Sequence, residues 1–280
     1  MTRLGQILEE KRTLGRKILM IYITGGLYVQ RGGNRYGTLD YCAEFASRGL
    51  DCIEIGIPFS DPVMDGPIIQ RASQLALEQG ATVDAILQDL GRLDEIFGTS
   101  SSGQDSIGTV VMTYYNLVHQ YSPERFAKRL VETRVMGTVL PDLPLCESAR
   151  WLELAQQNEI AHNLLAAPTT PDEDLKEICN KSSGFVYAVG ILGVTGMRDS
   201  ISESGKVLAG RIKEISNRCV LVGVGVSSPE QAQGQCTMAD GVIVGSAVMD
   251  RILKGDSPNE VARFVGELRE AIGDEVGVSA

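Results

Sequence analysis

Apolar and polar positions along this chain follow a repeating order. A short apolar run is followed by a longer stretch in which apolar residues recur every three or four positions. Eight such runs stand at 18–24, 52–56, 107–112, 137–140, 161–165, 185–189, 219–223 and 241–244. Short apolar runs separated by amphipathic stretches predict buried parallel strands, each followed by a helix. Leu4, Ile7 and Leu8 share one helical face, which predicts a short helix ahead of the first strand. Four later helices are signposted by a hydroxyl residue before a proline: Ser122-Pro123, Thr170-Pro171, Ser228-Pro229 and Ser257-Pro258. The last three add Glu173, Gln231 and Glu260 in the capping-box position. In the final helix Val261, Phe264, Val265 and Leu268 form one apolar stripe.

Eight strand–helix units in 280 residues predict one α/β domain over residues 1–280. The expected fold is a closed (β/α)8 TIM barrel with a short extra N-terminal helix, since such a barrel takes about 250 residues. A doubly wound open sheet is the alternative. The lack of a GxGxxG turn after the first strand counts against it. The polar, glycine-bearing segments 27–37, 98–105 and 192–205 are expected to be mobile.

Composition narrows the function. The net charge is −10 and no Lys/Arg cluster forms a basic face, which argues against nucleic-acid binding. An anionic ligand would need a local positive field, such as a helix N-terminus. The six cysteines (Cys42, Cys52, Cys146, Cys179, Cys219 and Cys236) include no CxxC pair and read as reduced thiols of a cytoplasmic protein. With His119 and His162 the only histidines, there is little material for a His-rich metal site or a Ser/His/Asp triad. No apolar run approaches the length of a membrane span, and the N-terminus lacks the apolar core of a signal peptide.

The densest chemistry lies at 52–67, Cys-Ile-Glu-Ile-Gly-Ile-Pro-Phe-Ser-Asp-Pro-Val-Met-Asp-Gly-Pro. Side chains alternate along a strand, so Glu54 shares a face with Cys52 and Gly56, and Ile53 and Ile55 share the other. If the isoleucines pack under helices, Glu54 projects into the barrel near the carboxyl end of its strand, where barrel enzymes keep their active sites. Burial would raise its pKa toward neutrality and suit it to proton exchange. The other reading is a Glu paired with Arg or Lys. Asp65 sits in a loop of turn-forming residues and by itself reads as a turn residue. Glycines follow the last three strands in Gly193-Val194-Thr195-Gly196, Gly223-Val224-Gly225 and Gly245-Ser246-Ala247. Backbone N–H groups after strands seven and eight, with a helix N-terminus, make the usual phosphate cradle of this fold. Tyr22, Thr24, Tyr114, Asn116, Asp142 and Tyr187 are further polar residues at strand ends, each as readily a rim-packing residue as a ligand contact.

Taken together, these segments resemble the tryptophan synthase α family. The likeness spans nearly the whole chain and is most specific from Ile53-Glu54-Ile55-Gly56-Ile57-Pro58-Phe59-Ser60-Asp61-Pro62 through Asp65-Gly66-Pro67-Ile68-Ile69-Gln70. Support comes from Met112-Thr113-Tyr114-Tyr115-Asn116, Pro141-Asp142-Leu143-Pro144, Gly193-Val194-Thr195-Gly196 and Gly245-Ser246-Ala247. The resemblance implies a carbon–carbon lyase that splits indole-3-glycerol phosphate into indole and glyceraldehyde 3-phosphate, without a cofactor. It implies Glu54 as general acid/base and Asp65 as the partner of the indole N–H. Tyr187 would stand beside the indole, and Gly196, Gly225, Gly245 and Ser246 would hold the phosphate. Thr195 would lie on a loop closing against Asp65, and Pro58 and Asp61 would meet a β subunit. The chain departs from the family where Thr24-Gly25-Gly26-Leu27-Tyr28 replaces Gly-Asp-Pro and a polar insertion follows, at Ile191 in the mobile loop, and at Val244. Two further readings stay open: a stand-alone lyase releasing free indole, and a catalytically weak barrel that binds and activates a β-subunit partner.

Overall fold

The computed structural model describes residues 1–98, 106–190, 198–223 and 225–273. Its main sheet is parallel and contains β1 (Ile18–Thr24), β4 (Cys52–Gly56), β5 (Gly108–Met112), β6 (Gly137–Val139), β7 (Ala161–His162), β8 (Leu165–Ala166), β9 (Val186–Ala188), β10 (Val220–Val222) and β11 (Gly241–Val244). The strands run in the order β7-β6-β5-β4-β1-β11-β10-β9-β8. Only Asn163 and Leu164 separate β7 from β8 in the chain, so the two ends of the ladder meet and the sheet closes into the (β/α)8 barrel.

The fifth apolar run, expected as one strand over 161–165, is therefore two short pieces. Asn163 explains the break. Its side-chain Nδ2 donates to Thr138 O (3.1 Å), and its Oδ1 accepts from Phe185 N (2.9 Å). A buried amide side chain thus bonds to the backbone on both sides of the seam. A Cβ on Gly184 would overlap Asn163 Oδ1, so a residue without one stands there.

Two apolar layers separate by strand parity. Ile21, Ile23, Ile53, Ile55 and Val111 pack outward under the helices. Ile18, Met20, Cys52, Val110, Leu221 and Ile243 fill the barrel together with Leu4, Ile7 and Leu8 of α1 (Arg3–Thr13). Leu4 enters because its neighbours are glycines: a Cβ on Gly108, Gly137 or Gly184 would sit 2.7, 2.9 or 3.0 Å from its methyl groups. Buried Asp51, just before β4, ties this end together. It takes Lys11 Nζ at 3.0 Å, Arg16 Nε at 2.7 Å and Arg269 Nη1 at 2.8 Å.

The insertion after β1 differs from expectation. Segment 27–37 forms a hairpin of β2 (Val29–Arg31) and β3 (Asn34–Tyr36). Gly32 (φ 56°) and Gly33 (φ 83°) supply the two left-handed residues of a type I′ turn. Tyr28 N donates to Gln79 Oε1 (2.8 Å), and Gln79 Nε2 donates back to Tyr28 O (2.9 Å). Arg31 forks onto Glu260 and reaches Gly255 O (3.2 Å). Of the other two segments expected to be mobile, 98–105 lies outside the described residues except Gly98. From 192–205, residues 198 onward open α10 (Arg198–Ile215).

Capping is half as expected. Ser228 caps α11 (Pro229–Cys236), and Ser257 with Glu260 forms the capping box of α13 (Pro258–Ile272). Thr170 instead accepts from Ala167 N (2.9 Å), which moves the start of α9 (Asp172–Lys181) one residue on. Ser122 turns to Glu124 from a left-handed backbone (φ 72°). Among the described residues no helix is long and apolar enough to cross a membrane, and no cluster of three or more His, Cys, Asp or Glu could hold a metal.

Candidate active site

Strand parity brings Glu54 into the barrel. Ile53 and Ile55 pack in the outer layer and Cys52 in the inner one, so Glu54 faces inward, as its alternation predicts. It is 0% exposed, and neither carboxyl oxygen has a hydrogen-bond partner among the described residues. A buried carboxylate without compensation is costly, so the proton stays on. Desolvation first, and the charge of Asp65 second, push its pKa up to about 8. The reading of Glu54 as half of a salt bridge finds no support, because no Lys or Arg pairs with it among the described residues.

Asp65 enters from the loop after β4. Burial raises its pKa to about 6, while a hydrogen bond from Tyr114 holds it back. Tyr114, after β5, is the group that fixes this loop. Its hydroxyl also accepts from Met64 N (3.0 Å), and its ring stacks on Phe59 (centroids 5.0 Å apart, 28° between planes). The sequence marks Tyr114 as a strand-end residue but carries no local link to Asp65, since the two lie far apart in the chain.

Two tyrosines flank the carboxylates. Tyr22 stands opposite Glu54 in the β1–β4 register, and Tyr187 projects from β9. Burial raises both phenols well above their usual pKa. Asp65 and then Glu54 add to the effect on Tyr22, and Glu54 heads the added charges on Tyr187. Both rings lie over glycines at strand ends. A Cβ on Gly56 would overlap the Tyr22 hydroxyl, and one on Gly223 would overlap the Tyr187 ring. A glycine ending one strand beside a tyrosine on the next is the signal that could have placed these rings.

Of the glycines expected to form a phosphate cradle, Gly245 lies beside Tyr22. Gly245 is the N-cap of α12 (Ser246–Leu253), no side chain caps that helix, and Ser246 is exposed at its first position. The first-turn N–H groups of such a helix point outward and attract anions. A Cβ on Gly245 would lie 3.2 Å from Tyr22 Cβ, so the helix start and the tyrosine are neighbours. Gly225 has φ 82°, a left-handed conformation suited to glycine. Thr195, Gly196 and Ile191 lie outside the described residues.

The arrangement is a buried, protonatable carboxyl, a second carboxyl that ionises more readily, and an open helix N-terminus, joined through one strand. Environments that drive two carboxyls apart in pKa assign an acid and an anion to the same site. The family model for the tryptophan synthase alpha chain matches residues 8–273. The tryptophan synthase alpha chain of Streptomyces coelicolor is 36% identical over 263 residues, covering 94% of this chain and 92% of that protein. That of Caldanaerobacter subterraneus is 34% identical and covers 97% and 100%. Among solved structures, the tryptophan synthase of M. tuberculosis in its aminoacrylate-bound form matches with a TM-score of 0.82 at 30% identity, covering 98% of this chain and 100% of that one. The α subunit from Legionella pneumophila also matches with a TM-score of 0.82, at 28% identity over 97% and 98%. The chain belongs to the tryptophan synthase alpha chain family, the carbon–carbon lyases that cleave indole-3-glycerol phosphate to indole and glyceraldehyde 3-phosphate in tryptophan biosynthesis.

Proposed function

We propose that Glu54 is the general acid/base of this cleavage and Asp65 its charge-stabilising partner. The observation that carries the assignment is the unpaired burial of Glu54 beside Asp65: burial and the charge of Asp65 raise the Glu54 pKa to about 8, and its own burial raises that of Asp65 to about 6. At pH 7 the first group is mainly protonated and the second mainly ionised. Protonated Glu54 gives its proton to C3 of the indole ring, which leaves the ring cationic. Ionised Asp65 accepts the ring N–H and offsets that charge. The Glu54 carboxylate then removes the proton of the hydroxyl on the carbon attached to C3. The bond between that carbon and C3 breaks, its electron pair restores the indole ring, and the carbon becomes the aldehyde. Glu54 ends protonated, ready for the next turn. Proton transfer from a positioned side chain typically supplies about 10²–10⁴-fold in rate.

Tyr187, held over Gly223, lines the indole side. Gly225, Gly245 and Ser246 hold the phosphate through backbone N–H groups, which fits a chain of net charge −10. On the family pattern Thr195 and Gly196, which lie outside the described residues, belong to the same substrate-binding set. The protein works in the cytoplasm. Five of its six cysteines are buried free thiols, in keeping with a reducing compartment.

The activity is completed by a β subunit that seats on the loop from Pro58 to Asp61. The loop continues into Val63 (78% exposed) and Met64 (56% exposed), two large apolar side chains in succession at the surface. Apolar exposure of that kind beside polar Ser60 and Asp61 suits a protein partner. Indole release measured with and without a tryptophan synthase β subunit tests this. A rise on addition supports it. Full activity alone would instead support a stand-alone lyase.

A further inference from the structure

In the closed sheet β1 lies between β4 and β11. Tyr22 pairs across to Glu54 on one side, and Ile21 pairs to Val244, just before Gly245, on the other. A substrate with its indole at Glu54 and Asp65 and its phosphate at the start of α12 must therefore lay its glycerol carbons over the end of β1. Two hydroxyls meet them there. Tyr22 Oη and Thr24 Oγ1 are 3.5 Å apart, on side chains only 6% and 1% exposed. The Tyr22 ring is held between Gly56, which leaves room for its hydroxyl, and Gly245, which packs against its Cβ.

We propose that the Tyr22–Thr24 hydroxyl pair recognises the vicinal diol of the glycerol chain and so selects a dihydroxylated linker over a deoxy one. This rests on the proposed placement of indole and phosphate. At 3.5 Å the two hydroxyls are at the outer limit of a hydrogen bond, so each retains capacity for a stronger partner. Burial and the charge of Asp65 keep the Tyr22 phenol neutral, which makes it a donor rather than a base. Thr24 both donates and accepts. Two diol oxygens satisfy both hydroxyls at once. A linker without them leaves two desolvated hydroxyls unmatched, and sites built on that principle reject the analogue strongly. A neutral phenol aimed at the carbinol oxygen also stays bonded to it as it becomes the aldehyde oxygen, without competing with Glu54 for its proton.

The test is Tyr22→Phe, which keeps the ring over Gly56 and removes only the hydroxyl. Two ligands are compared in the purified full chain: indole-3-glycerol phosphate as substrate and indole-3-propanol phosphate, which lacks both hydroxyls, as inhibitor. The expected result is a kcat/KM for the substrate lowered by about tenfold, the scale of one lost hydrogen bond. The inhibition constant of the deoxy analogue should stay unchanged. Thr24→Val should give the same pattern, which provides a second reading if Tyr22→Phe folds poorly. Equal losses for both ligands would reduce Tyr22 to packing, and no loss for either would remove the hydroxyl from recognition; either overturns the inference. Glu54→Gln separates the levels. If it still cleaves, the placement beneath the inference falls and the inference with it. If it is inactive while Tyr22→Phe behaves as wild type, only the diol recognition fails.

Discussion

Replacing Glu54 with Gln should make the protein more tolerant of alkaline pH while silencing it. Glu54 is fully buried, and its pKa rises from 4.5 to about 8. A group whose folded pKa is raised above its unfolded value contributes stability below the unfolded pKa and loses it as pH rises through the folded one. The window is therefore pH 4.5 to about 8, and each pH unit across it is worth about 1.4 kcal/mol. Integrated between pH 5 and pH 9, wild type should lose on the order of 4 kcal/mol relative to a chain with an uncharged residue at position 54. Gln matches Glu in shape and cannot ionise, so the difference between the two proteins isolates that titration. The assay is urea unfolding of both proteins across this pH range. Wild type should fall steeply toward pH 9 relative to Glu54→Gln, which should also show no measurable indole release. Parallel stability curves would mean that Glu54 is solvated or paired in the folded protein, and the argument for a neutral, proton-donating carboxyl would be refuted.

Three further outcomes follow from the same geometry. Asp65→Asn removes the second cause of the raised Glu54 pKa, so the alkaline limb of the pH–rate profile should move to lower pH while kcat falls by about 10² or more; an unmoved limb would uncouple the pair. Ser246→Asp places a charge at the first position of α12, which suits the helix dipole by about 0.3–1 kcal/mol yet repels phosphate, so KM should rise at least about tenfold with melting temperature held or raised; an unchanged KM would move the phosphate elsewhere. Gly56→Ala drives a methyl group into the Tyr22 hydroxyl and should cost about 1–3 kcal/mol of stability along with activity; a neutral result in thermal melts would show that the ring is free to leave that position.

Much of this architecture is legible along the chain because its signals are local. Apolar runs mark the strands, and period-two alternation alone places Glu54 on the inward face. What stayed hidden depends on contacts between distant residues. The 27–37 segment reads as mobile because its own residues are polar. It becomes a fixed hairpin through Arg31 and Glu260, 229 positions apart, and through Gln79. The fifth strand breaks because the Asn163 side chain bonds across the seam to Thr138 and Phe185, which no apolar count reveals. Asp65 reads as a turn residue in isolation, and its burial and the hydrogen bond from Tyr114 distinguish it from one. Thr170 and Ser122 carry cap sequences but spend their hydroxyls on other local partners.

The most direct test of the central claim is single-turnover cleavage of indole-3-glycerol phosphate by the purified chain and by Glu54→Gln, with β subunit present in both. The account predicts indole formation by wild type and a loss of at least about 10²-fold in the variant, with phosphate-ligand affinity preserved. Cleavage by Glu54→Gln at a rate near wild type would contradict it.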